Sequence, residues 1–273
     1  IDHEHVVRFE ECFEDEKRVL IVMEYAAGGE LFRNAGSKLE ILEEQDCRVI
    51  IKTVAEALLA LNESGVVHRD LKPENILLSS STKNARLLLA DFGFAIIPAN
   101  QEFNLLETVC GSPRYVAPEI MSGSPYNYKC DIWSLGVIAY HLVSKGELPI
   151  KYSSNKAELF KKLKKGEWDF TPEEKWTSVS DSAKDFISRL LVLDPEERFS
   201  YHDILSHSWL ADVDTSQTFM TPNILRLRMA MDQEKLDSSK TLGKTLRKLR
   251  TATHSMMSNS LPRVRSVTSS LAS

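Results

Sequence analysis

Residues 68–78 read HRDLKPENILL, and this run constrains the chain more than any other feature. A carboxylate (Asp70), an ammonium (Lys72) and an amide (Asn75) stand close together, and an apolar segment follows at once. Short apolar runs bounded by polar residues are typical of buried strands. The pattern therefore predicts a polar site beside a buried strand, and the remaining groups of that site must come from other segments of the chain.

Composition places the chain among globular proteins. It has 273 residues, of which 42% are hydrophobic and 27% are charged, and this is enough to bury a core. No apolar run approaches the ~18 residues of a membrane helix, and we see no signal peptide. Four cysteines lie far apart without a CxxC pair, so we expect a reduced, intracellular and cytoplasmic protein that has no structural zinc. They are Cys12, Cys47, Cys110 and Cys130.

Hydrophobic periodicity predicts a few strands at the front and a helical body behind. Residues 6–13 and 18–24 favour two strands, and a short helix is expected from Glu30. Residues 75–78 and 85–90 favour a second strand pair. Helices are expected over 43–64, 129–145, 155–165, 181–193 and 201–207, with Ser180 and Ser200 as N-caps of the last two.

The end of the chain differs from the rest in charge. Residues 212–273 hold ten Lys/Arg and five Asp/Glu, whereas the whole chain has a net charge of −5. Residues 251–273 are rich in Ser and Thr, and we expect them to be disordered. A basic tail on an acidic body indicates docking to the body or to an acidic partner; neither a nucleic acid nor a membrane is expected as a partner.

The polar groups match the needs of phosphoryl transfer from ATP to a hydroxyl. Such a site needs an acceptor for the hydroxyl proton, a cation that follows the moving phosphoryl group, and oxygen ligands for Mg²⁺. Asp70, Lys72 and Asn75 supply one of each. Asp91 supplies a second oxygen ligand, because it follows the apolar run LLLA and precedes Phe-Gly, where the chain can turn.

The chain resembles the eukaryotic protein kinases. HRD with Asn75 five residues after Asp70, DFG at 91–93 and APE at 117–119 occur in the family's order and at its separations. The resemblance covers residues 1 to about 210. It implies an α+β fold with a mostly helical C-terminal lobe and a partial N-terminal β lobe, and it implies ATP and Mg²⁺ as cofactors. It also implies that Asn75 and Asp91 hold the metal.

The run MEYAAGGELF resembles the family's hinge. The resemblance implies that Met23 is the gatekeeper of the adenine pocket. It also implies that the Glu24 carbonyl and the Ala26 amide bind the adenine edge, and that Glu30 lies near the ribose.

Further residues match positions that support the family's active site. Ser112 is expected to bond near Asp70 and Lys72. Glu119 and Arg198 resemble a buried ion pair, and Asp131 is expected to bond the backbone around His68 and Arg69.

Regulation and specificity are expected from the same segments. A phosphate on Thr108, between DFG and APE, would pair with Arg69 and order the loop. Glu30 and Glu74 line the substrate groove together with Ser112. Their carboxylates predict protein Ser/Thr substrates with Arg at the third position before the target.

Within the family, GGELF, DFGFA, DPEERFS and HSWL resemble the calcium/calmodulin-dependent kinase group. Residues 241–257 combine Leu242, Leu246 and Leu249 with basic neighbours, which suits a calmodulin-like groove; a tail without a partner is the alternative. We expect residues 1–24 to be a remnant of the N-terminal lobe. Residues 25–210 would form the hinge and the C-terminal lobe, and 211–273 a regulatory or disordered tail.

The family's Gly-rich loop, its VAIK lysine and the glutamate of the following helix have no match in the sequence. The chain is therefore expected to begin inside the small lobe, to bind ATP poorly and to turn over slowly. Two alternatives stay open: a non-catalytic scaffold derived from a kinase, and a metabolic phosphotransferase. Intact Asp70, Asn75 and Asp91 disfavour the scaffold, and the long loop between DFG and APE disfavours the phosphotransferase.

Overall fold

The computed structural model describes residues 1–97, 106, 108, 110–151, 155–166, 168–170, 173–215 and 219–234. The chain divides into two compact units. Ile1–Arg228 is the body, and Met229–Ser273 is a second unit of which residues 229–234 are described. The segment 241–257, with its leucines and basic neighbours, and the Ser/Thr-rich end at 251–273 lie outside the described residues. Over the described ranges, no helix is both long enough and apolar enough to pass through a membrane.

A two-stranded antiparallel sheet stands at the front of the body. Strand β1 (Phe9–Glu14) pairs with β2 (Val19–Met23), and Arg18 donates to Asp15 in the turn between them. Every residue of both strands is exposed, including apolar side chains such as Ile21 at 57%. Both predicted strands are therefore present, and their apolar side chains are left uncovered by the described residues.

A second sheet contains the strand that directly follows the polar run at 68–75. Its order is β3 (Gly29–Glu30), β4 (Ile76–Leu78) and β5 (Leu87–Leu89), all antiparallel. The predicted strand pair is confirmed, but the short helix expected from Glu30 is wrong. Glu30 pairs with Leu77 as the last residue of β3, and a 3-10 helix follows only at Gly36–Ile41.

The rest of the body is helical, as expected for an α+β fold with a large helical part. A 3-10 helix at Pro73–Asn75 precedes β4, and residues 222–234 form a helix at the end of the described chain. The α-helices are α1 (Glu44–Glu63), α2 (Pro118–Ser122), α3 (Lys129–Val143), α4 (Lys156–Lys165), α5 (Glu173–Trp176), α6 (Asp181–Leu190) and α7 (Tyr201–Ser206).

Helix α3 is the centre of the core, because all but two of its residues are buried. Gly136 lets α6 approach: a Cβ at this position would lie 2.8 Å from the Cβ of Leu190. Ser180 and Ser200 cap α6 and α7 through their side chains, as predicted. Each of these two helices is thus started by a local cap, and α6 packs on α3 whereas α7 packs on α1.

The chain after α7 folds back along α1 within the body. Asp46 accepts bonds from Thr221 Oγ1 at 2.5 Å and Asn223 Nδ2 at 2.9 Å, and Lys52 Nζ donates to Val213 O at 2.6 Å. Ile224 and Leu227 are buried. Residues 213–215 and 219–228 therefore belong to the body in space, although the charge pattern separates them from it in sequence.

Candidate functional site

The run at 68–70 is held in an unusual backbone conformation by Asp131 of α3. The Asp131 carboxylate accepts from His68 N and Arg69 N, each at 2.8 Å. Arg69 has a φ of 68°, which a non-glycine residue adopts only where the surroundings enforce it. Burial raises the pKa of Asp131, while the bonds from His68 and Arg69 oppose that rise. The helix thus fixes the direction of the segment that carries Asp70.

The Asp70 carboxylate is buried between a cation and a hydroxyl. Lys72 Nζ lies 2.5 Å from Asp70 Oδ2, and Ser112 Oγ donates to Asp70 Oδ1 at 2.8 Å. The side chain of Asp70 is 2% exposed, and that of Lys72 is 20% exposed. Charge-assisted bonds of this kind fix a carboxylate in one orientation. Three predicted site residues are therefore in direct contact.

Asn75 and Asp91 lie at the adjacent ends of two paired strands. Asn75 directly precedes β4, and Asp91 follows two residues after the end of β5. Asn75 Nδ2 donates to Asp70 O at 2.9 Å, which leaves the side-chain amide oxygen as the group that it presents. Ala90 N donates to Asn75 O at 3.0 Å, so the residue before Asp91 is bound to Asn75. The pairing of β4 with β5 thereby places Asn75 beside Ala90, the residue before Asp91, although Asn75 and Asp91 are 16 positions apart in the sequence.

The DFG run lies against the HRD run. The His68 ring contacts the Phe92 ring at 5.2 Å between centroids, and His68 Nε2 is 3.2 Å from Ala90 O. Asp91 itself is exposed and has a φ of 64°. Its Oδ1 accepts from Gly93 N at 3.2 Å, so the turn at Gly93 sets the orientation of the Asp91 carboxylate.

The side chains present fit a hard divalent cation. Asn75 and Asp91 offer one amide oxygen and one carboxylate, which are the donors that Mg²⁺ prefers, and phosphate oxygens of a nucleotide are its usual further ligands. Within the described ranges, no three His, Cys, Asp or Glu side chains form a metal cluster of their own. Two protein oxygen ligands suit a cation that is also coordinated by the phosphates of a bound nucleotide.

The predicted hinge residues follow one another from β2 to β3. Glu24 N donates to Arg8 O at 2.8 Å, and the Glu24 side chain pairs with Arg86 at 2.8 Å. Met23 is 48% exposed. Ala26 belongs to the tight connection into β3, where its carbonyl accepts from Gly29 N at 2.9 Å, and Glu30 is the last residue of β3. The backbone between the two sheets is therefore ordered by local bonds.

The predicted ion pair between Glu119 and Arg198 is present and buried. Arg198 Nη1 and Nη2 lie 2.8 Å and 3.2 Å from the two Glu119 oxygens, and the side chains are 0% and 6% exposed. Arg198 also donates to Lys129 O and Val192 O. The APE segment is thus fixed to the turn after α6.

The residues predicted for regulation and substrate recognition are spread around this centre. Thr108 is exposed, and Glu74 is exposed at the start of the 3-10 helix before β4. Arg69 Nε donates to Phe94 O at 2.6 Å, and its Nη1 donates to Tyr126 Oη at 3.1 Å. The Arg69 guanidinium therefore already has protein partners next to the loop that carries Thr108.

Two positioning contacts were not expected from the sequence. Tyr126 bonds both Arg69 and the backbone of Thr108. Arg228 donates to Glu30 O at 2.8 Å and to Gly28 O at 2.6 Å, on the hinge side of the site. Neither residue lies in a motif, and backbone acceptors leave no pattern in a sequence, so only the folded chain reveals these contacts.

Comparison with known proteins agrees with this geometry. The protein kinase domain family matches residues 1–210. A calcium/calmodulin-dependent protein kinase type 1 of Caenorhabditis elegans is 40% identical over 209 residues, which cover 77% of this chain and 58% of that protein. The protein of the same name from Macrobrachium nipponense is 38% identical over 211 residues, or 77% of this chain and 59% of that protein.

A serine/threonine-protein kinase H1 of Homo sapiens is 37% identical over 218 residues, which cover 80% of this chain and 50% of that protein. The chain thus spans only about half to three fifths of the curated relatives it matches. The family match covers most of the chain, and it includes the clamped Asp70, the neighbouring Asn75 and Asp91, and the buried pair of Glu119 and Arg198. The chain belongs to the protein kinase domain family.

Proposed function

We propose that the protein to which this chain belongs is an ATP-dependent protein serine/threonine kinase, which transfers the γ-phosphoryl group to a protein hydroxyl. The observation that carries the proposal is the fixed carboxylate of Asp70, held by Lys72 at 2.5 Å and by Ser112 at 2.8 Å. Asn75 and Asp91, on the two adjoining segments, support the proposal because they add oxygen ligands beside it.

Each side chain has a role in this reaction. Asp70 orients the attacking hydroxyl and accepts its proton, and Lys72 offers positive charge to the transferred phosphoryl group. Asn75 and Asp91 would hold Mg²⁺. When bound, ATP would supply the phosphoryl group, and Mg²⁺ would neutralise the charge on its phosphate oxygens. Glu24 and Ala26 would bind the adenine edge through the backbone, with Met23 behind the adenine and Glu30 near the ribose.

The proposal is tested by transfer of labelled phosphate from γ-labelled ATP to Ser and Thr peptides. The 273-residue chain and the longest product of its coding sequence are assayed side by side. We expect transfer by the longer product and weak transfer by the chain alone, since the Gly-rich loop and its lysine have no match in this sequence. Peptide turnover by the chain alone at ordinary kinase rates would contradict the second expectation. Absence of transfer by both would overturn the proposal and favour a scaffold.

Substrate preference follows from the acidic side chains of the groove. We propose that Glu30 and Glu74 select Arg at the third position before the target, because carboxylates form strong charge-assisted pairs with guanidinium groups. An oriented peptide library tests this preference, with Glu74→Gln as the matched variant. Selection of acidic or proline-directed peptides, unaltered in Glu74→Gln, would rule it out.

Regulation is proposed for Thr108, which is exposed and lies on the loop next to Arg69. A phosphate on this residue would add a second anchor for the loop at the Arg69 guanidinium. Phosphopeptide mapping and activity of Thr108→Ala test the switch. Unchanged activity together with an unchanged phosphopeptide map would exclude it.

We propose the domain arrangement expected from the sequence, with a partial small lobe at 1–24, a hinge and large lobe at 25–210 and a regulatory tail at 211–273, whose described residues up to Arg228 fold back onto α1 of the large lobe. We propose that 241–257 binds calmodulin or a similar calcium sensor, because its leucines and basic residues form an amphipathic pattern. Calorimetric titration of the chain with calcium-loaded calmodulin tests this binding, with Leu246→Glu as the control. Equal heats for both proteins would refute it.

A further inference from the structure

Tyr126 lies just before helix α3 and contacts the loop that follows the DFG run. It is buried, with 2% of its surface exposed. Its backbone forms an antiparallel bridge with Leu106, in which each amide donates to the other residue's carbonyl at 2.7 Å and 2.9 Å. One residue of the loop is therefore fixed to the start of α3 through the main chain.

The hydroxyl of the same tyrosine contacts two further loop residues and the catalytic segment. It donates to Thr108 O at 2.7 Å, it receives a bond from Arg69 Nη1 at 3.1 Å, and it lies 3.8 Å from Cys110 Sγ. Burial raises the pKa of Tyr126 to about 12, so the phenol keeps its proton at neutral pH. Because its one hydrogen goes to Thr108, the phenol oxygen is the acceptor toward Arg69 and Cys110.

The contacts continue from Tyr126 toward the catalytic carboxylate. Gly111 has a φ of +93°, and a Cβ there would lie 2.6 Å from Arg69 O, so only glycine lets the loop approach this closely. One residue later, Ser112 Oγ donates to Asp70 Oδ1 at 2.8 Å. Leu106, Thr108 and Cys110 thus contact Tyr126, and the next two residues, Gly111 and Ser112, contact Arg69 and Asp70 of the catalytic segment.

We infer that Tyr126 is a positioning residue: its hydroxyl joins Arg69 to the loop at Thr108 and Cys110, and so places Ser112 on Asp70. The effect of Tyr126 on peptide phosphorylation rests on the proposed function, whereas its contacts with the loop do not. The contact consists of hydrogen bonds from the phenol to the Thr108 carbonyl and from the Arg69 guanidinium to the phenol, so it does not need a phosphate on Thr108. Leu106, Thr108 and residues 110–112 of the loop are therefore held against the catalytic segment and the start of α3 in the unphosphorylated chain.

Cysteine reactivity measures this contact without any enzyme assay. Cys110 is half-buried beside the Tyr126 hydroxyl, whereas Cys12 on β1 is exposed and serves as an internal reference. Cys47 and Cys130 are buried, and burial raises the pKa of both thiols, so they react slowly. The ratio of Cys110 to Cys12 alkylation, read by mass spectrometry of digested peptides, reports how firmly the loop is held.

The test compares Tyr126→Phe with Tyr128→Phe in the 273-residue chain. Each substitution removes one hydroxyl next to the start of α3 and keeps the ring. We expect the Cys110-to-Cys12 ratio to rise about fivefold or more in Tyr126→Phe: loss of the neutral bond to Thr108 O alone corresponds to about fivefold, and the bond from the Arg69 guanidinium is lost with it. Amide exchange of peptides that cover 106–112 should accelerate in the same variant. In Tyr128→Phe, both measures should stay at the parent values.

A kinetic measurement separates positioning from a general structural effect. In the longest active product, Tyr126→Phe should raise the KM for peptide severalfold while the KM for ATP stays unchanged, because Ser112 on this loop is one of the residues proposed to line the substrate groove. General damage to the fold would change both constants. A product without any kinase activity would contradict the proposed function, while the alkylation and exchange results would still decide the role of Tyr126.

Equal Cys110 reactivity and equal loop exchange in the parent, Tyr126→Phe and Tyr128→Phe would overturn the inference. If Tyr126→Phe does not fold, the parent chain still provides a test. Cys110, whose thiol lies against the Tyr126 hydroxyl, should then be alkylated more slowly in the folded, unphosphorylated chain at pH 7 than in the urea-unfolded chain, each rate being read relative to Cys12. Equal relative rates in the folded and the unfolded chain would overturn the inference equally.

Discussion

Arg198 and Glu119 are 79 positions apart, and their charged groups meet as a bidentate pair in the core of the helical part. The guanidinium also donates to the carbonyls of Lys129 and Val192, and it lies over the Trp133 ring at 5.3 Å. All parts of the buried cation thus have partners. The pair joins the APE segment at 117–119 to the turn after α6.

Removing one member of this pair should be costly for stability. Arg198→Met leaves a buried carboxylate without its cation, and such a loss typically destabilises a protein by ~3–5 kcal/mol. Urea unfolding of the chain measures the free energy. Arg189→Met is the control, because its pair with Asp185 is more than half exposed on both sides and should contribute under about 1 kcal/mol. Equal midpoints for the two variants would show that the buried pair does not stabilise the fold.

Arg228 should stabilise the connection that leads into β3. Its guanidinium donates to the carbonyls of Gly28 and Glu30, and hydrogen bonds to a charged group are each worth about 1.5–3 kcal/mol. We therefore expect Arg228→Ala to accelerate amide exchange over residues 27–32 and to destabilise the body. Arg226→Ala removes an exposed cation from the same helix and is the matched control. Identical exchange in the two variants would mean that the guanidinium does not order this connection.

Helix α7 should lose stability in acid through its capping box. The bond from the Ser200 side chain, followed by that from its backbone, lowers the pKa of Asp203 below the ordinary value of 3.8. A carboxyl with a lowered folded pKa stabilises the fold above pH 3.8, and that contribution is lost as the pH falls through the lowered pKa.

Asp203→Asn should therefore weaken the pH dependence of stability below about pH 4, and Ser200→Ala should cost ~1 kcal/mol at neutral pH. Thermal unfolding followed from pH 2.5 to pH 7 measures both effects. Asp181→Asn, in the first turn of α6 and outside a capping box, is the control. A pH profile that is the same in Asp203→Asn as in the parent would argue against this contribution.

Helix starts and ends could be predicted from the sequence, because they depend on residues that are close together in the chain. Ser180 and Ser200 begin their helices, and Gly166 ends α4 with a left-handed φ of 59°. The fold class was implied by the resemblance of HRD, DFG and APE to the motifs of the protein kinase family, which matches residues 1–210.

Tertiary contacts account for what the sequence did not predict. Glu30 has the propensity of a helix former, but its backbone pairs with Leu77 in the sheet, and pairing overrides propensity. Charge composition separated the chain near residue 210, yet Thr221 and Asn223 bind Asp46 of α1. Tyr126 was missed because its hydroxyl binds a backbone carbonyl, which any residue at position 108 would offer.

The central claim concerns the carboxylate of Asp70, and kinetics of Asp70→Asn test it most directly. In the longest product of the coding sequence, phosphate transfer to a Ser/Thr peptide should fall in kcat by about 10²–10⁴, the usual contribution of a catalytic base. The KM for ATP should change little, because Asp70 acts on the hydroxyl. Asp15→Asn, in the exposed turn after β1, should retain the parent rate. An Asp70→Asn protein that transfers phosphate as fast as the parent would contradict the account.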